Sequence, residues 1–154
     1  MTHRITAVSA NKDFQLIAHF SNGVAKKLDL CQLADENPIY GPGGYDEDQI
    51  SRVYWIEEGR YVTCDAFYDA DEGDCLPRDA ISAEEIWEKG TEIQTPFSGL
   101  VTVDDAVKCW GISYSVLKRS IDEGALREDE DFMNIHGTVL FTKVALDRVY
   151  GECK

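Results

Sequence analysis

The chain is short of positive charge: 154 residues carry 15 Lys and Arg against 29 Asp and Glu, a formal net charge of −14. That balance opposes non-specific attraction to phosphates, since binding a polyanion works by neutralising its negative charge. Long apolar runs are missing too. No stretch is long enough to span a bilayer, and the opening MTHRITAVSANKDF has no apolar core of signal-peptide length. The five cysteines are odd in number and include no C-x-x-C pair, which argues against a disulfide framework and suits a reducing compartment. The expectation is a soluble, cytoplasmic protein with no membrane partner.

Signatures of chemistry are equally scarce. His3, His19 and His136 recur at no ligand spacing with Cys or carboxylate, and no nucleophile elbow, G-x-G-x-x-G or G-K-[ST] cradle is present. His19 lies between apolar neighbours in a strand pattern and reads as a solvent-side strand residue. Asp69–Asp74 resembles a calcium loop, but its glycine falls one place early and its twelfth position is Ala80 rather than a bidentate Glu, so a solvated acidic turn is expected. The reading is not an enzyme, with no cofactor and no metal site.

What is there is a folded pattern, 44% hydrophobic and 10% aromatic. Arg4–Val8 is rich in β-formers. Phe14, Leu16, Ala18 and Phe20 then alternate at a period of two, Asn22-Gly23 marks a tight hairpin, and residues 24–30 run back. Residues 34–50, with two prolines, three glycines and a run of acids, read as a loop of undetermined role. Val53–Ile56 and Arg60–Cys64 form a second hairpin around Glu57-Glu58-Gly59. Ser82 caps a short helix with Glu85 as its capping-box partner, and Gly90 ends it. Residues 91–99 read as a linker. The expected organisation is therefore an acidic antiparallel β-meander domain with a short helix over 1–90, a linker, and a second domain over 100–154.

The first of these domains resembles the family called domain of unknown function 2442. The residues that carry the resemblance are Ile5–Val8, the hairpin Phe14–Gly23 leading to Leu28–Leu30, and Ile81–Trp87. The resemblance implies a small α+β domain, of a kind often encoded beside toxin-like partners, and no enzyme chemistry.

In the second half, apolar residues at 103, 106, 107 and 110 form one helical face, Thr102 can cap it, and Gly111 permits a sharp turn. Ser113 caps a second helix in which Val116 or Leu117 and Ile121 face inward and Gly124 provides the stop. Tyr114, Ser115, Lys118, Arg119 and Asp122 are left facing outward. Hydroxyls near a helix N-terminus followed by adjacent cations suit base edges and phosphates, with Arg119 able to contact guanine and Lys118 a phosphate.

Ala106–Ser113 followed by Leu117, Ile121 and Gly124 resembles the excisionase and MerR type of helix-turn-helix. A wing follows in that family, here Phe132–Asn134 and Val139–Phe141 around residues 135–138, and then a helix from Thr142. The resemblance implies a mainly α winged helix-turn-helix domain, so the fold class expected of the whole chain is α+β with a mainly α second half. The DNA-contact set it implies is Ser113, Tyr114, Ser115, Lys118 and Arg119, with His136 in the wing and Lys143 at the last helix.

Charge distribution bears on this reading. Residues 1–94 hold 8 basic against 19 acidic side chains, a balance of −11; residues 95–154 hold 7 against 10, a balance of −3. Most of the acidity lies off the helix pair, although Glu128–Asp131 places four acids just before the wing. The expected function is a DNA-binding transcriptional regulator, antitoxin-like and autoregulatory. It would be a homodimer on double-stranded DNA, with the acidic N-terminal domain as partner-binding module. The alternative is an acidic interaction module or inhibitor, a DNA mimic in which the helix pair serves protein contacts.

Overall fold

A computed structural model describes residues 3–33, 40, 43–65 and 76–153. The acidic turn read over Asp69–Asp74 lies outside them, as do residues 34–39 and 41–42 of the loop read over 34–50. By backbone contacts the chain divides into two compact units, Thr2–Phe20 with Ala25–Ile93, and Ser21–Val24 with Gln94–Lys154.

In the first unit, β1 (Ile5–Ala10), β2 (Gln15–Phe20) and β3 (Ala25–Asp29) form an antiparallel meander. The period-two pattern buries Leu16, Ala18 and Phe20 on one face, while Gln15, Ile17 and His19 are half-buried on the other. The second hairpin pairs β4 (Tyr54–Ile56) with β5 (Tyr61–Thr63) through a 3-10 turn over Glu57–Gly59, and β6 (Ile81–Ser82) adds to it. Leu28, Leu30, Val62, Ile81 and Ile86 close the core. Burying each such side chain contributes about 1.5–3 kcal/mol.

Ser82 caps α2 (Ala83–Lys89) by accepting from Glu85 N, but the Glu85 carboxylate turns to Lys89 at 2.8 Å instead of completing a capping box. The reciprocal box occurs at α1 (Glu47–Ile50), where Asp46 and Gln49 cap each other inside the stretch read as loop. Thr91–Ile93, read as the start of the linker, is strand β7, and it joins β3 at the edge of the first sheet.

The second unit corrects the expected fold class. It is not a mainly α winged helix-turn-helix domain. Strand β8 (Leu100–Thr102) runs directly into α3 (Val103–Trp110). It pairs antiparallel with β10 (Thr138–Thr142), which pairs in turn with β9 (Phe132–Ile135). The unit is an α+β arrangement with a three-stranded sheet in the order β8-β10-β9, to which α3, α4 (Tyr114–Asp122) and α5 (Lys143–Tyr150) belong. The described residues as a whole form ten strands in three antiparallel sheets, with five helices. The reason lies in three residues: Leu100-Val101-Thr102 is too short to display alternation, and Thr102 both ends the strand and caps α3 through Asp105 N. Val101 and Phe141 carry the inner face of this sheet into a core with Ala106, Trp110, Leu117, Leu126, Ala145 and Leu146.

Candidate nucleic-acid interface

Helices α3 and α4 are joined by Gly111, which adopts φ 64° and ψ 36°, the left-handed conformation that closes a helix end without a Cβ penalty. Trp110 anchors the first helix. It is 3% exposed, and its Nε1–H lies 3.1 Å from Asp147 Oδ1 and 3.0 Å from the Gly151 carbonyl. Ser113 caps α4, its Oγ accepting from Val116 N at 3.2 Å.

At about 100° per residue, Tyr114, Lys118, Asp122, Ser115 and Arg119 span one arc of roughly 140°. Leu117 and Ser120, both buried, and the half-buried Val116 and Ile121 fill the opposite side. Tyr114 is 66% exposed, and Ser115, Lys118 and Arg119 face solvent. Among the described residues neither Lys118 nor Arg119 enters an ion pair, whereas Lys89, Arg52 and Arg148 all do. Asp122 sits on the same arc, at its C-terminal end.

The remaining two residues of the expected set fare differently. His136 is exposed at the tip of the β9–β10 hairpin with φ 50°, followed by Gly137 at φ 88°, and Asn134 Oδ1 accepts from Gly137 N at 2.8 Å. Two successive positive φ values make the two-residue turn that matches strand twist. Lys143 is committed elsewhere, its Nζ 2.7 Å from Asp147 Oδ2 one helical turn along α5. It differs in this from Lys118 and Arg119, which enter no ion pair among the described residues.

The acidic run before the hairpin is not uniform. Asp131 is turned inward, 5% exposed, and its Oδ2 accepts from Arg148 Nη2 at 2.8 Å and from Arg127 N at 2.9 Å. Glu128, Asp129 and Glu130 stay in solvent. Four formal acids thus leave three exposed carboxylates. Sequence reasoning could not separate them, because the partner of Asp131 lies 17 residues away.

The first unit contains a buried polar centre that the sequence did not announce. Asp79 is 1% exposed; its carboxylate accepts from the Thr63 hydroxyl, from Cys64 N at 2.7 Å and from Tyr45 Oη at 3.1 Å. The Tyr40 hydroxyl donates to the Asp79 carbonyl. Burial, with Asp79 nearby, pushes the Cys64 thiol up to about 12. The Asp79 carboxylate thereby ties together Thr63, the Cys64 amide and Tyr45, while its backbone carbonyl holds Tyr40. Among the described residues, no three His, Cys, Asp or Glu side chains converge where they could hold a metal ion, and no helix is long and apolar enough to cross a membrane.

The residues missed most completely are Leu100, Met133, Ile135 and Leu140, apolar side chains on the outer face of the second sheet. Alternation within the two wing segments was the available signal for Met133 and Leu140, whereas Leu100 becomes readable only once β8 is recognised as a strand.

No family model, no curated protein and no solved structure matches this chain.

Proposed function

We propose that the protein is a double-stranded-DNA-binding regulator that reads the major groove with α4. The observation that supports this reading most directly is the α4 arc: Tyr114, Ser115, Lys118 and Arg119 share one solvent-facing side of a capped helix, and its two cations are uncommitted among the described residues. A guanidinium on such a face suits the paired acceptors of guanine, and an ammonium suits a phosphate. His136 at the hairpin tip would meet the flanking backbone. One nine-residue helix offers few base contacts, so two copies would act on a two-fold symmetric site, with half-sites about 34 Å apart.

Selection from a random duplex pool at low salt, followed by anisotropy titration of the enriched duplex, tests the reading. Arg119→Ala should weaken specific binding roughly tenfold or more and relax preference at one base pair. Lys118→Ala should weaken all duplexes alike. If no duplex is enriched, or if both substitutions leave affinity unchanged, the reading is wrong.

A further inference from the structure

The outer face of the β8-β10-β9 sheet breaks the rule that a solvated sheet face is polar. Register places Leu100 opposite Thr142 and Met133 opposite Leu140, with Ile135 opposite Thr138 one pair further on. All of these point away from the core that Val101 and Phe141 enter. Leu100, Met133 and Ile135 are 41%, 49% and 46% exposed. Together with Leu140 they floor an open groove of about 230 Å³ whose rim carries Asp129 and Glu130. Contiguous exposed apolar surface rimmed by charge marks a contact site on a soluble protein.

The electrostatics of the groove select among occupants. No basic residue lines it. The nearby Arg148 is committed to Asp131 and meets Glu130 only through longer-range attraction. A second copy apposed on this face would bring two further carboxylates and no cation, so like charges would meet. DNA is disfavoured for the same reason. Strand addition at the β9 edge is also poorly served, because the Phe132 carbonyl already accepts from Asp129 N at 2.8 Å. What fits is side-chain docking.

We propose that this groove docks a segment of another protein that presents a bulky aliphatic or aromatic side chain beside Lys or Arg. The apolar side chain seats against Met133, Ile135, Leu140 and Leu100, and the cation pairs with Asp129 and Glu130. This surface is distinct from the α4 arc, so partner binding does not depend on the DNA-binding reading.

The test is selection of a random displayed peptide library on the full chain, with the Ile135→Asp variant as counter-target. Enriched peptides should combine a large apolar residue with nearby Lys or Arg. In anisotropy titrations of one such peptide, Glu130→Lys and Asp129→Lys should each weaken binding roughly three- to tenfold. Ile135→Asp, and Met133→Asp as an independent second variant, should weaken it about tenfold or more. Both replaced side chains are half-exposed, and unchanged thermal unfolding verifies that the variants fold. Four results would overturn the proposal: no enrichment, peptides retained equally by the counter-target, enriched peptides without basic residues, or a wild-type dimer in sedimentation equilibrium that Ile135→Asp dissociates. The last would assign the face to a second copy.

Discussion

Asp131 and Arg148 tie the turn after Arg127 to the last helix, and that tie is pH-dependent. The hydrogen bond from Arg148, followed by that from the Arg127 amide, holds the Asp131 carboxyl below its ordinary range in the folded chain. A carboxylate depressed on folding adds stability that is full above its unfolded value, about 3.9, and is lost as pH falls through the lower folded value. Asp131→Asn should therefore lower Tm by a few degrees at neutral pH. The gap to wild type should shrink steadily from pH 5 towards pH 2, as followed by circular dichroism melts. A gap that is constant with pH would mean the side chain acts by packing alone. The sequence placed Asp131 in a run of four equivalent acids, and nothing local distinguishes it. Caps were legible for the opposite reason: Ser82, Thr102 and Ser113 each meet an amide three residues on, a relation contained in the local spacing.

Elements were readable wherever a pattern closes on itself. The β2 alternation, the Asn-Gly turn, the Glu57–Gly59 hairpin and the Gly111 helix end are all of this kind. Strand β8 and helix α1 were not, since one has three residues and takes its identity from β10, while the other lies in an acidic, glycine-rich stretch that masks its capping pair. Two glycines separate local from non-local demands. Gly111 has φ +64° and open space around a built Cβ, so Gly111→Ala meets conformational strain only, about 1 kcal/mol. Gly59 has φ +85°, and a Cβ there would lie 2.2 Å from the Ile5 carbonyl oxygen of β1. Gly59→Ala must therefore displace backbone as well, costing about 2–4 kcal/mol. Urea unfolding followed by tryptophan fluorescence should rank the two in that order. Equal losses would show that β1 moves aside freely.

At the scale of the whole molecule, a DNA-binding reading has to coexist with −14 formal charges, and salt dependence is where the two meet. With Arg119 on a guanine and Lys118 on a phosphate, the α4 arc neutralises about one phosphate per copy. The slope of log K against log salt should then be about −1 per copy, or about −2 for a pair, since each neutralised phosphate contributes about −0.9. Repulsion between the acidic remainder of the chain and the duplex acts over the Debye length, about 8 Å at physiological ionic strength but about 30 Å at 0.01 M. Near physiological salt the carboxylates beyond the contact are largely screened and the α4 cations dominate. As salt falls, attraction and whole-chain repulsion grow together, so the affinity gain should level off instead of continuing along the line. Titrations across that range should give a curve shallow at low salt and linear above it, with Lys118→Ala reducing the linear slope by about one per copy. A straight, steep line down to the lowest salt would require a basic surface larger than α4 provides, and would place the DNA contact elsewhere on the chain.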